Sequence, residues 1–252
     1  MVADPQRIAE LRDRLDGIVH AARARNGVLP FGIDEIDRRL PKGGLAYGAL
    51  HEIAGGAAGA VDGAVASMFC AGIAARTGGQ VLWCYTRADL FSLALAEVGL
   101  GSDRVAFFEA GDEKSLMGCF EEAVRHGGLS AVVAEIATLE RVPSQRIQMA
   151  AESSGTMALA LRRWRRQLDA RDFGHPTAAM TRWRVTELAS LPLATSRGVG
   201  QARWLVEMLR CRGGQPADFE VEACDAQGSI HISAAVADRP AAQEDGRFRA
   251  VS

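Results

Sequence analysis

The sequence predicts an α/β fold in which a mostly parallel central sheet is covered by helices on both faces and carries antiparallel strands at its C-terminal edge. Three observations predict it. Between residues 49 and 136, short apolar runs alternate with longer stretches of helical periodicity; the runs are apolar throughout rather than at every second position; and after Arg146 strands follow one another with few helices between them. Alternating β and α signals call for parallel strands joined by crossovers, and strands that are apolar throughout are buried on both faces. A chain of 252 residues that is 48% hydrophobic supplies one sizeable core.

Taken in order, Ile8, Leu11, Leu15, Ile18 and Val19 recur at helical spacing among charges, which predicts an amphipathic helix over residues 1–27. A Gly- and Pro-rich segment follows, with a short helix carrying Ile33, Ile36 and Leu40. Strands are then predicted at 49–54, 81–85, 105–108 and 131–136, and helices at 61–77, 90–98 and 113–126. The Gly-Gly pairs at 78 and 127 follow helices, where a left-handed cap is wanted. Beyond Arg146 the pattern predicts a short helix and strands at 156–163, 179–188, 203–211 and 219–232. The core thus spans residues 28–233, and residues 234–252 read as a flexible tail with little to bury.

No apolar run approaches the roughly 18 residues of a membrane span, and charges occupy the N-terminal stretch where a signal peptide would be apolar. The expectation is a cytoplasmic protein with no membrane contact. The five cysteines are scattered, without C-x-x-C or a histidine at ligand spacing, so neither a metal site nor a disulfide framework is expected. A net charge of -2 excludes a chain that is basic throughout, yet charge is unevenly distributed.

The run "ALHEIA" leads into "GGAAGAVDGAVASMF", the strand, Gly-rich turn and helix of a phosphate-binding loop. In such a loop, backbone N–H groups wrap the phosphates, a lysine neutralises charge and a hydroxyl holds magnesium. Gly55, Gly56 and Gly59 keep the turn, but Ala60 replaces the second glycine of the pattern, Val61 the lysine and Asp62 the hydroxyl residue. A carboxylate at the helix N-terminus competes for the field a phosphate would use. No nucleotide cofactor and no metal are expected here, and no catalytic residue is assigned.

Between Arg141 and Arg184 lie nine arginines against three acids, Glu152, Asp169 and Asp172. Within this segment Arg162, Arg163, Trp164, Arg165, Arg166 and Arg171 have the composition of a single-strand DNA contact, since guanidinium groups neutralise phosphates and an accessible Trp stacks on a base. A solvated face with Trp164 and Trp183 in the core is the plain alternative, and an acidic partner protein is a third.

The segment "LPFGIDEIDRRLPKGGLAYGALHEIAGG" resembles the opening of the RecA recombinase core. Together with the eroded loop, "AAMTRWRV" and "LRCRGGQPADFEVE", it makes residues 28–233 similar to the inducible-mutagenesis protein A (ImuA) group of RecA-like proteins. The resemblance implies a RecA-like core and an accessory role in damage-induced (SOS) mutagenic translesion DNA synthesis. The implied partners are the RecA recombinase, a Y-family-like ImuB protein and an error-prone polymerase. By the same resemblance, Thr86 stands where RecA has its catalytic glutamate, and Glu135 is a vestige of the magnesium-side acid; the plain alternative is that Glu135 only solvates or caps a strand end. "GHPT" resembles the end of a second DNA-binding loop, and Ile8, Leu11, Leu15 and Ile18 form a helix face that packs either on the chain's own core or, as the resemblance implies, on a RecA protomer. An active RecA/KaiC-type ATPase with an unorthodox loop lacks charge compensation and a metal hydroxyl; a SulA-type division inhibitor needs no arginine cluster. These remain the competing readings.

Overall fold

The computed structural model describes residues 27–56, 60–164, 173–190 and 200–232. The predicted N-terminal helix face and C-terminal tail lie outside the described residues. A two-stranded ribbon of β1 (Val28–Leu29) and β2 (Leu45–Ala46) flanks α1 (Asp34–Asp37). The Asp37 carboxylate fixes that corner by accepting from the backbone N–H groups of Phe31 (2.7 Å) and Gly32 (2.9 Å). Ile33, Ile36 and Leu40 are buried, as their spacing predicts.

The main body follows as β3 (Leu50–Gly55), α2 (Ala60–Arg76), β4 (Val81–Tyr85), α3 (Ser92–Glu97), β5 (Val105–Glu109), α4 (Glu113–His126) and β6 (Ala131–Ile136). It continues with α5 (Arg141–Ser154), β7 (Met157–Arg162), β8 (Thr181–Leu188), β9 (Arg203–Cys211), β10 (Ala217–Glu222) and β11 (His231–Ile232). The strands form one nine-stranded sheet in the order β11-β10-β9-β8-β3-β7-β6-β4-β5. From β8 to β5 every pairing is parallel, and β9, β10 and β11 add antiparallel strands at one edge.

Alternation along the strands divides the core in two. Ile53, Trp83, Val133, Leu159 and Trp183 pack with α2 on one face; Leu50, Val132, Ala134, Ala158 and Ala160 pack with α4 and α5 on the other. On the α2 face, Trp183 lies 5.6 Å from the ring of Phe31 and 6.1 Å from that of Phe69, so the "LPFG" segment is sealed onto the sheet by aromatic contacts.

Two expectations are corrected. The helix after β6 has 14 residues and begins at Arg141, because Pro143 sits in its first turn, where a missing N–H costs nothing. The strand expected at 219–232 is a pair, β10 and β11. The Asp225 carboxylate accepts from the N–H groups of Gln227 and Ser229, and Gly228 takes φ +77, which folds the chain back.

His51 is buried at the centre of the sheet. Its Nε2 donates to the Ala46 carbonyl (2.9 Å), so Nδ1 accepts from the Thr181 hydroxyl (2.8 Å), whose oxygen accepts from the Trp183 indole N–H (2.7 Å). Burial pushes the imidazole pKa from 6.5 down to about 4, against the hydrogen bond to Ala46. The neutral ring is the folded form, so stability is whole above pH 6.5 and is lost as pH falls towards 4. The full loss is about 3 kcal/mol. Urea midpoints measured across that window are expected to rise with pH, and the rise to flatten in His51→Gln.

Candidate functional site

β3 is wholly buried and delivers the chain to the Gly-rich turn at the top of the sheet. A Cβ on Gly55 would lie 2.6 Å from the backbone of Asp62, so only glycine lets the strand end pass this close to the first turn of α2. Gly56 donates its N–H to the Val185 carbonyl (3.0 Å), which prolongs the ladder with β8. Asp62 is buried, and its carboxylate accepts from the Glu187 N–H at 3.2 Å. The acid in the hydroxyl position therefore ties α2 to the end of β8. Gly59 lies outside the described residues, and Ala60 and Val61 are described in backbone alone, as the start of α2.

Thr86 follows β4 directly, and Glu135 lies inside β6 on the α2 face of the sheet. Glu135 accepts from the Trp83 indole N–H (2.7 Å) and from Nη1 of Arg163 (2.6 Å). The same guanidinium nitrogen donates to Asp89 at 2.8 Å. Burial raises the Glu135 carboxyl above its usual range, a shift that Arg163 and Trp83 oppose. Both carboxylate oxygens of this acid thus have partners within the chain.

The arginine segment departs from the expected basic patch. Arg162, at the end of β7, is 1% exposed, and Arg182, in β8, is 5% exposed. Both turn towards Glu52 of β3, which is fully buried. Arg162 Nη1 donates to Oε1 at 2.5 Å, Arg182 Nε donates to Oε2 at 2.7 Å, and Thr177 Oγ1 adds a contact to Oε2 at 3.3 Å. Arg162 also donates to the Ala137 carbonyl (2.7 Å) and Arg182 to that of His175 (2.7 Å). Trp164 and Phe173 meet edge to face at 5.1 Å and cover the guanidinium of Arg162, at 5.3 and 5.9 Å respectively.

Two of the DNA-binding candidates are engaged within the chain. Arg162 is enclosed with its carboxylate partner, because a buried guanidinium without one costs far more than it gains. Trp164 has its ring on Arg162 and its indole N–H on the Ala137 carbonyl (2.8 Å). Arg163 is bound to Glu135 and Asp89, Arg184 to Glu207, and Arg146 to Glu121. Trp183 is in the core, as the plain alternative has it, but Arg182 on the opposite side of β8 is buried as well. Arg165, Arg166 and Arg171 lie outside the described residues. Glu52, the acid that organises this centre, was visible only as a charge within the apolar run "ALHEIA". Among the described residues, no group of His, Cys, Asp and Glu is placed to hold a metal ion. No described helix is long and apolar enough to cross a membrane.

No protein-family model matches the chain. Over 218 residues it is 34% identical to Protein ImuA of Caulobacter vibrioides, in strains NA1000 / CB15N and ATCC 19089 / CIP 103742 / CB 15; the match covers 83% of this chain and 88% of the relative. Among solved structures, the RadB recombinase superposes with a TM-score of 0.57 at 14% identity, over 81% of this chain and 99% of that one. That likeness establishes a RecA-like fold.

Removing the carboxylate from the buried centre leaves two cations facing each other. Glu52→Ala is expected to lower unfolding free energy by about 3–5 kcal/mol in urea denaturation. Glu207→Ala, which frees the half-exposed Arg184, is expected to cost less than about 1 kcal/mol. Equal losses would mean that the Glu52 centre is no more than a surface pair in energetic terms.

Proposed function

We propose, from the premise that the chain belongs to the ImuA family, that it is a non-catalytic, cytoplasmic accessory protein of damage-induced (SOS) mutagenic translesion DNA synthesis. One observation carries the non-catalytic part. The side chains a RecA-type ATPase would need free are engaged within the chain: Glu135 with Trp83 and Arg163, and Asp62 with the Glu187 backbone. No lysine stands between Gly55 and Asp62 to offset phosphate charge. A loop without cation or hydroxyl has little to offer a magnesium nucleotide, and Thr86 has no carboxylate with which to activate water.

On this reading the fold serves as a platform. Its partners are the RecA recombinase, a Y-family-like ImuB protein and an error-prone polymerase. The face made by Ile8, Leu11, Leu15 and Ile18 is the proposed contact with RecA. Single-stranded DNA contact falls to Arg165, Arg166 and Arg171, the arginines of the candidate set that lie outside the described residues.

A pull-down from DNA-damaged cells, with and without nuclease, tests partners and DNA together. Expected is recovery of RecA, the ImuB-type protein and the polymerase, with a nuclease-sensitive share that Arg165→Ala/Arg166→Ala removes. Recovery of cell-division proteins in their place would contradict the proposal, and a nuclease-sensitive share unchanged in the double variant would contradict its DNA arm.

A further inference from the structure

A cleft of about 650 Å³ runs along the α4/α5 face of the sheet, between α5 and the end of β9, and Arg141, Arg210 and Arg212 reach into it. A β-bulge puts the last two there. Thr181 faces Cys211 and Arg182 faces Arg210, but Trp183 faces Met208, so Leu209 is an extra residue in β9. Without it, Arg210 would follow Trp204, Val206 and Met208 onto the apolar α2 face; with it, the side chain is turned to the side of Arg182.

The bulge creates a concentration of like charge. Arg182 and Arg210 stand directly opposite each other across the strand pair, an arrangement that is unfavourable by itself. Burial and then the neighbouring Arg182 and Arg212 push the Arg210 guanidinium pKa down, with only Glu52 opposing, and Glu52 is already shared by Arg162 and Arg182. Arg210 donates to the Thr177 carbonyl (2.8 Å) and Arg212 to that of Ala178 (3.3 Å). Arg146, Arg162, Arg163, Arg182, Arg184 and Arg203 all have carboxylate partners, whereas Arg141, Arg210 and Arg212 have none among the described residues. Beside them α5 exposes two large apolar side chains, Val142 (63%) and Met149 (67%). They are seven residues apart, which is two turns or about 10 Å along one helix face.

We propose that this cleft docks a segment of a partner protein that is acidic and carries apolar side chains, its carboxylates taken by Arg141, Arg210 and Arg212 and its apolar groups by Met149 and Val142. Guanidinium forks accept carboxylates in bidentate fashion, and such an anion relieves the opposition of Arg182 and Arg210. A nucleic acid fits less well. Among the described residues no aromatic side chain lines the cleft to stack a base. The inference is independent of the nucleotide-loop reading, since it uses neither the turn at Gly55 nor Glu135.

The test is fluorescence anisotropy of the full chain with a labelled peptide of repeating Asp-Asp-Leu, controlled by repeating Ser-Ser-Leu and by labelled oligothymidine. The Asp-Asp-Leu peptide is expected to bind, and Arg210→Gln/Arg212→Gln to weaken it by about tenfold or more. Because those arginines also hold the 177–178 backbone, Met149→Glu provides a second variant at an exposed position, with a comparable loss expected and an unchanged unfolding midpoint. Absence of charge-dependent peptide binding, binding that survives both variants, or oligothymidine binding that the same variants abolish in place of peptide binding would overturn the proposal.

Discussion

The structure turns on one carboxylate. Glu52 sits on the middle strand of the nine-stranded sheet and is shared by Arg162 from the strand on one side and Arg182 from the strand on the other. Three charges enclosed in the interior are tolerable only if each is met by an opposite charge or a hydrogen-bond partner, which makes the geometry demanding. The carbonyls of Ala137 and His175 and the hydroxyl of Thr177 supply further partners. The ends of β6 and β7 and the approach to β8 are thereby held around one point. The rings of Trp164 and Phe173 close over it, so the two ends of the arginine-rich segment are fixed together at the sheet.

That constraint changes what the arginines mean. Counted along the chain they form a strongly basic stretch, but the folded chain spends many of them internally. Arg163 bridges Glu135 and Asp89, and in doing so places a guanidinium beside the acid that the RecA resemblance puts on the magnesium side. On the proposed reading, charge neutralisation that an ATPase would obtain from metal and nucleotide is supplied here by the protein's own side chains. Arg141, Arg210 and Arg212 line one cleft and have no carboxylate ion pair among the described residues.

Much of the fold was legible because it is written in local pattern. The buried strands at 81–85 and 131–136 and the helix at 113–126 coincide with their apolar runs and periodicity, and Gly127 ends that helix in the left-handed conformation. That Val61 and Asp62 stand at the lysine and hydroxyl positions of the loop pattern is likewise read from residue identity alone. What escaped was long-range. Glu52 meets Arg162 across 110 positions and Arg182 across 130, and no window of sequence brings them together. The bulge at Leu209 leaves no compositional trace, so the side to which Arg210 turns could not be read. The turn at Asp225–Gly228 does leave one, an Asp three residues before a Gly, inside the run 219–232 that reads as a single strand.

On the proposed reading, internal pairing has replaced nucleotide binding in a RecA-like fold. A ligand that binds the native state stabilises it by about 2.7 kcal/mol at a hundred times its dissociation constant. For a chain of this size that amounts to a rise of roughly 5–10 °C in unfolding midpoint. The direct measurement is therefore the thermal midpoint of the full chain over a titration of magnesium ATP to millimolar concentration. The account predicts an unchanged midpoint; a saturable rise of several degrees with half-effect in the micromolar range would contradict it.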